Sequence, residues 1–287
     1  MLHELSRMIG ERAVNEGITE TFLPEVTLFR TNQDLPKAPL IYEQCLCIAV
    51  QGHKTCHMND TTLTYTNNEF LVVPTILPLV VEAFAHGDDP LLAITISLEY
   101  HVIKEVMGVV GMGLSSVTEG KNPPAGIYLE PLTADIVGPL IRLMQSLQSK
   151  AEAALLGKQV VREIYYRVLT GKNGHILASA ARGESSLAKV SEVLRTIHDN
   201  YANPMDISDL ADSVNMSSRT FHKHFKSVTS CTPVQYLKSI RLEKARQFLV
   251  NDGLQASAAA YEVGYESPSQ FSREFKRYFG YSPRDAR

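Results

Sequence analysis

The sequence lacks the long apolar segment that a membrane-spanning helix requires. No run of about 18 apolar residues occurs, and the longest candidate, Phe70 to Phe84, is interrupted by Pro74, Pro78 and Glu82. The N-terminal segment MLHELSRMIGER carries acids among its bases and has no apolar core, which argues against a secretory signal peptide. We therefore expect a cytoplasmic protein with no membrane partner.

Cysteine is scarce, and the motifs of several enzyme classes are missing. The four cysteines form no C-x-x-C pair and no disulfide framework, which fits a reducing compartment. No Ser-His-Asp, P-loop or G-x-G-x-x-G pattern is present, and we predict no catalytic residues. Cys45 and Cys47 lie two residues apart and so point to one side of a strand. Core cysteines are commoner than thiol sensors, so we predict a core role and keep the sensor as an alternative.

The net charge is only −3, but the charge is unevenly distributed along the 287 residues. From Ser185 onward, 14 lysines and arginines stand against 11 acids, whereas the preceding part holds 14 against 20. An acidic body with a basic tail domain is typical of a protein in which one part contacts nucleic acid. The length and the 44% hydrophobic content suit two globular domains.

The N-terminal half predicts a β-rich domain followed by helices. After a short amphipathic helix over residues 2–16, runs such as CLCIAVQ, EFLVVP and LLAITISL alternate with turn residues. Their close, even spacing predicts a small antiparallel barrel or sandwich. Helical periodicity follows over Leu132–Leu147 and Glu152–Leu169. These two helices either cover the barrel or form a dimer interface.

A stretch of small and polar residues predicts a linker between the two domains. Gly171 and Gly174 precede the segment ASAARGESS, which has no clear periodicity. We therefore predict an N-terminal domain over 1–177, a linker over 178–186 and a C-terminal domain over 187–287.

The C-terminal part contains one pattern twice, 50 positions apart. Ser217–Pro233 and Ser267–Pro283 both read S-x-x-x-F-x-[KR]-x-F-K-x-x-x-x-x-[ST]-P. In each copy a serine is suited to cap a helix, and two phenylalanines four residues apart share its buried face. Basic residues occupy the opposite face. Each copy is therefore predicted to be the second helix of a helix-turn-helix.

The segments around the two copies support this interpretation. Asp206 is a predicted N-cap of a preceding helix, and Asn215 and Gly264 occupy equivalent turns that favour the left-handed conformation. Val234 to Val250 predicts a connecting helix that spans roughly 25 Å. It would hold two recognition helices about one DNA turn apart, ~34 Å, so that one chain contacts two successive major grooves of double-stranded DNA.

These segments resemble the AraC/XylS family of bacterial transcription regulators. LKSIRLEKARQFL (237–249) is similar to the R-L-x-x-A-R-x-L helix of the family, and VGYESPSQFSREFKRYFGYSP (263–283) matches its second motif. LIYEQCLCIAVQGHK (40–54) and REIYYRVLTGKNG (162–174) are similar to the branch with a cupin-like N-terminal half. The resemblance covers residues 20–287. It implies an α+β, two-domain fold, with an N-terminal cupin-like antiparallel β-barrel and helices and a C-terminal all-α double helix-turn-helix.

The resemblance also implies two sets of DNA-contacting residues. The set expected to contact base edges is Arg219, His222, Lys223, Pro268, Ser269, Gln270 and Arg273. The set expected to contact phosphates is Ser217, Thr220, Lys226, Ser267, Lys276 and Arg277. Arginine and glutamine suit bidentate contacts to guanine and adenine, whereas phosphate contacts position the protein. Ser230 stands where the first motif of the family usually has glycine, and the first helix is expected to carry most of the specificity.

Metal-dependent cupins use a His-x-His, a nearby glutamate and a later histidine, and this sequence lacks the His-x-His. The nearest candidates are His53, Cys56, His57, Glu82 and His86. His53 and His57 are four residues apart and share a face of a strand, which keeps a metal geometrically feasible. We nevertheless predict ordinary turn histidines, no metal and no cofactor.

The sequence as a whole predicts a sequence-specific, DNA-binding transcription regulator that is not an enzyme. Its barrel is expected to bind a small-molecule effector and the chain to form a homodimer, with RNA polymerase as a further candidate partner. Two alternatives remain open. One is a metal-dependent cupin enzyme fused to a DNA-binding tail, and the other is a DNA-binding regulator without an effector.

Overall fold

The computed structural model describes residues 1–58, 61–85, 89–111, 127–182 and 186–286. In this part of the chain the strands are β1 (Gly17–Glu20), β2 (Val26–Thr31), β3 (Leu35–Tyr42), β4 (Cys45–Gln51), β5 (His53–Met58), β6 (Thr61–Tyr65), β7 (Glu69–Val73), β8 (Leu77–Phe84), β9 (Leu91–Ser97) and β10 (Tyr128–Pro131). The α-helices are α1 (Leu2–Arg12), α2 (Tyr100–Val110), α3 (Ala134–Ser146), α4 (Lys150–Glu152), α5 (Lys158–Leu169), α6 (Gly174–Arg182), α7 (Ser186–Asn200), α8 (Ile207–Ser213), α9 (Ser218–Thr229), α10 (Pro233–Val250), α11 (Ala256–Glu262) and α12 (Pro268–Phe279). A π-helical turn (Ala153–Gly157) joins α4 to α5, and a 3₁₀ turn (Pro283–Ala286) follows α12.

The strands form two antiparallel sheets that face each other. The larger sheet has the order β1-β2-β9-β4-β7-β10, and the smaller has the order β3-β8-β5-β6. Among the described residues no hydrogen-bonded strand pair joins one sheet to the other, so the barrel is open. The predicted combination of a β-rich N-terminal part and an all-α C-terminal part is confirmed.

The outer face of the larger sheet is covered by helices. Leu5 and Ile9 of α1 are fully buried, as are Leu46, Ile48 and Ile94 on the outward face of the sheet. Residues that alternate with these point between the sheets, because successive side chains of a strand point to opposite faces. The amphipathic N-terminal helix is therefore part of the core of the β-rich domain.

The two helices predicted before the linker are present, but the second is irregular. Ile136, Leu140 and Leu143 of α3 are buried as its periodicity predicts, and so are Ile164 and Val168 of α5 in the second predicted segment. Leu156, which lies within the predicted amphipathic segment Glu152–Leu169, is 58% exposed. It lies in the π-helical turn, whose wider turn shifts the register of the residues before it.

Much of the predicted linker over 178–186 is helical. Residues up to Arg182 belong to α6, where Ala178, Ala180 and Ala181 are buried. Alanine is the strongest helix former and packs closely, so small residues that resemble a linker in sequence form a buried helix here. Residues 183–185 lie outside the described part, and α7 begins at Ser186. The domain limits 1–177 and 187–287 remain a proposal.

The C-terminal helices pack on the β-rich domain through α10. The Tyr236 hydroxyl, which is fully buried, donates to the Ile76 carbonyl oxygen at 3.2 Å. Phe221 and Phe225 belong to the same continuous apolar core as the barrel. A separate core forms around α11 and α12. In the part of the chain that the structure describes, none of the helices has the length and apolar character needed to cross a bilayer.

Candidate DNA-binding surface

The first recognition helix, α9, is fixed by its cap and by two phenylalanines. Ser217 caps the helix, since its Oγ accepts from the Thr220 backbone N–H at 3.3 Å. Phe221 and Phe225 are fully buried, with ring centroids 5.4 Å apart, and Phe225 packs edge-on against Tyr236. These contacts determine which face of α9 points to solvent.

The solvent-facing side of α9 is basic and contains no acid. Arg219, His222, Lys223 and Lys226 are all exposed. The His222 Nδ1 lies 2.9 Å from the Ser218 carbonyl oxygen. Because a carbonyl can only accept, Nδ1 is the donor in this contact. This face offers several hydrogen-bond donors to a base edge.

The second recognition helix, α12, repeats the same construction. Ser267 caps it and Pro268 occupies its first turn, while Phe271 and Phe275 are fully buried with centroids 5.4 Å apart. The exposed members of the predicted DNA-contacting sets on this helix are Ser269, Gln270, Arg273, Lys276 and Arg277. Ser267 and Pro268 are half-buried, which reduces the surface that they present to DNA.

An acid that the sequence analysis missed lies among the bases of α12. The Glu274 carboxylate pairs with the Lys238 ammonium at 2.7 Å and accepts from the Tyr265 hydroxyl at 2.9 Å. It also accepts from the Gln270 side-chain amide at 3.3 Å, so that one predicted base reader is partly occupied. The pattern gave no signal for this role, because Lys238 comes from another helix.

The turns inside the two helix-turn-helix units adopt the predicted left-handed backbone. Asn215 has a φ of 53° and Gly264 a φ of 83°. A Cβ built on Gly264 would lie 2.2 Å from the Ala202 carbonyl oxygen, so this position requires glycine for space as well as conformation. Ser230, at the end of α9, is also left-handed with a φ of 65°, where the second copy has Gly280.

Arg241 of α10 bonds to the backbone of both helix-turn-helix units. Its guanidinium donates to the carbonyl oxygens of Tyr201 at 2.7 Å, Asn203 at 3.1 Å and Gly264 at 3.1 Å. The three bonds hold the segment before α8 and the turn before α12 on the same helix. Sequence reasoning did not identify Arg241, although it begins the R-L-x-x-A-R match.

Helix α10 lies between the two recognition helices in the chain. Thr232 and Gln235 form a reciprocal capping box at its start, with bonds of 3.3 and 3.0 Å. Its 18 residues span roughly 27 Å. Helix α10 therefore directly connects the two units that carry the basic faces.

Of the candidate metal residues of the barrel, His57 and Glu82 contact each other on the outer face of the smaller sheet. His57 Nε2 contacts a Glu82 oxygen, which also lies 3.6 Å from the Lys37 ammonium, and His53 stacks on Phe84. Cys56 points to the opposite face of β5. Within the described ranges no group of three His, Cys, Asp or Glu residues has the arrangement of a metal site. His86 lies outside the described residues.

Cys45 and Cys47 lie on one side of β4, as their spacing predicts. Both are buried, and their sulfur atoms are 3.5 Å apart. Hydrogen bonding from Cys45 lowers the pKa of Cys47 from its ordinary value, against the effect of burial.

Two family descriptions match the chain. The AraC-type transcriptional regulator N-terminus matches residues 22–176, and a helix-turn-helix domain matches residues 210–287. The chain is also 35% identical over 104 residues to the HTH-type transcriptional activator RhaS of Escherichia coli O1:K1 / APEC. That match covers 36% of this chain and 37% of RhaS, so the chain spans little more than a third of the length of this curated relative.

Solved structures of ToxT from Vibrio cholerae have the same fold over nearly the whole chain. ToxT of strain SCE256 with a bound unsaturated fatty acid gives a TM-score of 0.59 at 10% identity, covering 94% of this chain and 96% of ToxT. A second ToxT structure gives a TM-score of 0.55 at 11% identity, with coverages of 91% and 96%. Because the match to the N-terminal family description alone spans more than half of the residues, the chain belongs to the AraC-type family of transcriptional regulators.

Proposed function

We propose that this protein is a transcription regulator that binds specific DNA sequences through α9 and α12 and responds to a small molecule bound by its β-rich domain. The observation that carries the proposal is the pair of capped helices, each with two buried phenylalanines and a basic exposed face, held by α10. A packed helical hairpin needs the phenylalanines but has no need of two similar basic faces.

In this proposal the two recognition helices differ in their contribution. Arg219, His222 and Lys223 read base edges in one major groove, since all three are exposed and α9 carries no acid. In the second groove Arg273 is the main base reader, with Ser269 beside it. Pro268 is half-buried and Gln270 is bonded to Glu274, so the other members of the base-reading set contribute less.

The residues of the phosphate-contacting set position the protein on the DNA backbone. Lys226, Lys276 and Arg277 neutralise phosphates, while the caps Ser217 and Ser267 and the neighbouring Thr220 direct hydroxyls and helix N-termini toward them. The relatives support this proposal, since RhaS is described as a transcriptional activator and ToxT was solved with a fatty acid.

Selection from a random duplex library tests the proposal. The full chain, mixed with random double-stranded DNA and recovered over several rounds, is expected to enrich a motif of two short blocks. Their centres should lie about 10 base pairs apart, one turn of the duplex. Recovery of DNA without any enriched motif, or of a single block only, would contradict the proposed use of both helices.

We also propose that the chain dimerises through the helices that follow the barrel. Val109 of α2, Leu155 and Leu156 of the π-helical turn, and Tyr166 of α5 are exposed by 83%, 72%, 58% and 40%. Exposed apolar side chains on helices that contact one another are typical of a protein interface. A second copy suits this surface, because soluble oligomers are mostly symmetric dimers.

Leu155→Asp is expected to convert a dimer into a monomer in sedimentation-velocity experiments, since a carboxylate in an apolar interface loses its hydration. Val14→Asp is the matched control, because Val14 is 67% exposed just after α1 and lies outside the proposed interface. A wild-type monomer, or a Leu155→Asp dimer as strong as the wild type, would refute this interface.

A further inference from the structure

A small cavity opens beside the last strand of the larger sheet. It has a volume of about 230 Å³ and lies between β10, the first turn of α3 and the last turn of α5. Phe70, Ile136 and Val168, which are all buried, form its apolar wall, and Glu130 and Arg167 bring charge to it. We call the space lined by these five residues the β10 cavity.

The β10 cavity contains a buried carboxylate with one unused oxygen. Glu130 is 4% exposed, and its Oε1 accepts from the Asn173 backbone N–H at 2.7 Å. Among the described residues no donor bonds to the other oxygen, Oε2. Oε2 lies beside Gly171, where a Cβ would come within 3.0 Å of it. A carboxylate oxygen that is withdrawn from bulk water and lacks a donor costs free energy, and a donor supplied by a ligand would remove that cost.

Arg167 brings unused donors to the same cavity. Its Nε is buried and has no partner among the described residues. Its guanidinium makes an ion pair with Glu163 at 3.9 Å, which is too long for a hydrogen bond, and the Glu163 carboxylate is bonded to Arg142 at 2.5 Å. Arg167 and Glu130 both line the cavity without pairing with each other. A ligand between them can therefore bond to both.

The charges around the β10 cavity are balanced. Glu130 and Asp135 are matched by Arg167 and Lys172, of which Asp135 and Lys172 are exposed at its mouth. A simple anion would be repelled by the acids, and a simple cation by the bases, whereas a zwitterion is attracted to both. Ligand pockets usually measure about 300 Å³ or more, so this smaller space suits a small metabolite. A free α-amino acid combines the two charges on one carbon atom.

We propose that the β10 cavity binds a free α-amino acid. Its ammonium donates to Glu130 Oε2, and its carboxylate accepts from the Arg167 guanidinium. Its side chain lies against Phe70, Ile136 and Val168. The inference rests on the proposed function, because it assigns a place and a chemical class to the small molecule that the β-rich domain binds.

Thermal melting of the full chain with each proteinogenic L-amino acid in turn is the first test. At least one amino acid is expected to raise the melting temperature in a saturable manner, because binding to the folded state stabilises it by mass action. The matched probes are the amine that lacks the carboxylate of that amino acid and the acid that lacks its ammonium. Neither is expected to shift the melting temperature at the same concentration, since each leaves one charged group of the cavity unpaired.

Two variants test the assigned contacts by isothermal titration with the same amino acid. Glu130→Gln keeps an oxygen for the Asn173 N–H but removes the charge, and Arg167→Met removes the guanidinium. Each is expected to weaken binding about 10- to 100-fold, which is the effect of losing one charge-assisted hydrogen bond. Glu69→Gln is the control, because Glu69 is exposed on β7 opposite Pro131, the neighbour of Glu130, and does not line the cavity.

A measurement without ligand separates binding from a structural role. Glu130→Gln is expected to melt at the temperature of the wild type, because the amide oxygen preserves the bond to Asn173. If this variant does not fold, Arg167→Met decides alone. Wild-type affinity in a folded variant of either residue would overturn the inference. So would a set of amino acids that leaves the wild-type melting temperature unchanged, or an amine or acid that binds as tightly as its amino acid.

The outcome is independent of DNA binding. A wild-type chain that enriches a DNA motif but responds to none of the amino acids refutes this inference and leaves the proposed DNA recognition standing. A chain that binds an amino acid through Glu130 and Arg167 but enriches no motif refutes the DNA recognition alone.

Discussion

Replacing Arg219 with alanine is expected to reduce the preference of this protein for its selected DNA sequence over random DNA by about 10- to 100-fold, or about 1–3 kcal/mol. Arg219 is exposed in the first turn of α9, next to the Ser217 cap, and the first turn of a recognition helix is the part that enters the major groove. A guanidinium there can bond two acceptors of one guanine at once. Competition gel-shift measurements at fixed salt report the preference directly.

Lys276→Ala is expected to behave differently from Arg219→Ala, because the Lys276 side chain is expected to contact a phosphate and not a base. This variant should bind every sequence more weakly by a similar factor, and its affinity should depend less on salt, with the slope reduced by about 1. Arg219→Lys keeps the charge but not the planar fork, so it should lose discrimination while keeping most of its affinity. If neither Arg219→Ala nor Arg273→Ala lowered discrimination, the assignment of base readers would be wrong.

The arginines of the two helices are not expected to contribute equally. Arg273 lies next to Glu274, whose carboxylate reduces the positive potential of the surface around α12, whereas α9 has no acid at all. Arg273→Ala is therefore expected to cost less discrimination than Arg219→Ala. This order follows from the structure, since Lys238 and Tyr265 hold the Glu274 carboxylate within hydrogen-bond distance of Gln270 on the same helix.

The parts of the fold that depend on neighbours in sequence were predictable from sequence. The serine caps and the phenylalanine pairs lie within a few residues of one another, so their spacing determines their geometry. The left-handed turns at Asn215 and Gly264 follow from residue type in the same way. Strands such as β4 and β9 were recognisable by their β-branched residues and flanking turns.

The features that were not predicted depend on residues far apart in the chain. Arg241 bonds carbonyl groups 23 to 40 residues away, and Glu274 pairs with Lys238 across 36 residues. The helical character of residues 178–182 is another example, because the alanines of α6 gain their stability from packing that the local composition does not reveal.

Glu243 is a buried carboxyl group in the middle of α10, between the two helix-turn-helix units. It is 3% exposed, and one of its oxygens lies 3.4 Å from Arg246 Nε. Among the described residues the other oxygen has no hydrogen-bond partner. Burial raises the pKa of Glu243 from its ordinary value of 4.5 to about 7, and the attraction of Arg246 offsets only part of this effect. The folded protein therefore binds a proton at Glu243 more tightly than the unfolded chain does.

Glu243→Gln is expected to raise the free energy of unfolding at pH 8 by an amount on the order of 3 kcal/mol and to change it little at pH 4. The wild-type protein has the full benefit of the protonated carboxyl below pH 4.5 and loses it as the pH rises through about 7. An amide does not titrate, so the variant keeps that stability throughout. Denaturant unfolding at several pH values measures the difference.

Glu262→Gln is the control, because Glu262 is exposed on α11 and should leave the pH dependence unchanged. A Glu243→Gln variant whose stability falls between pH 5 and pH 8 as steeply as that of the wild type would show that Glu243 does not hold a proton in the folded state.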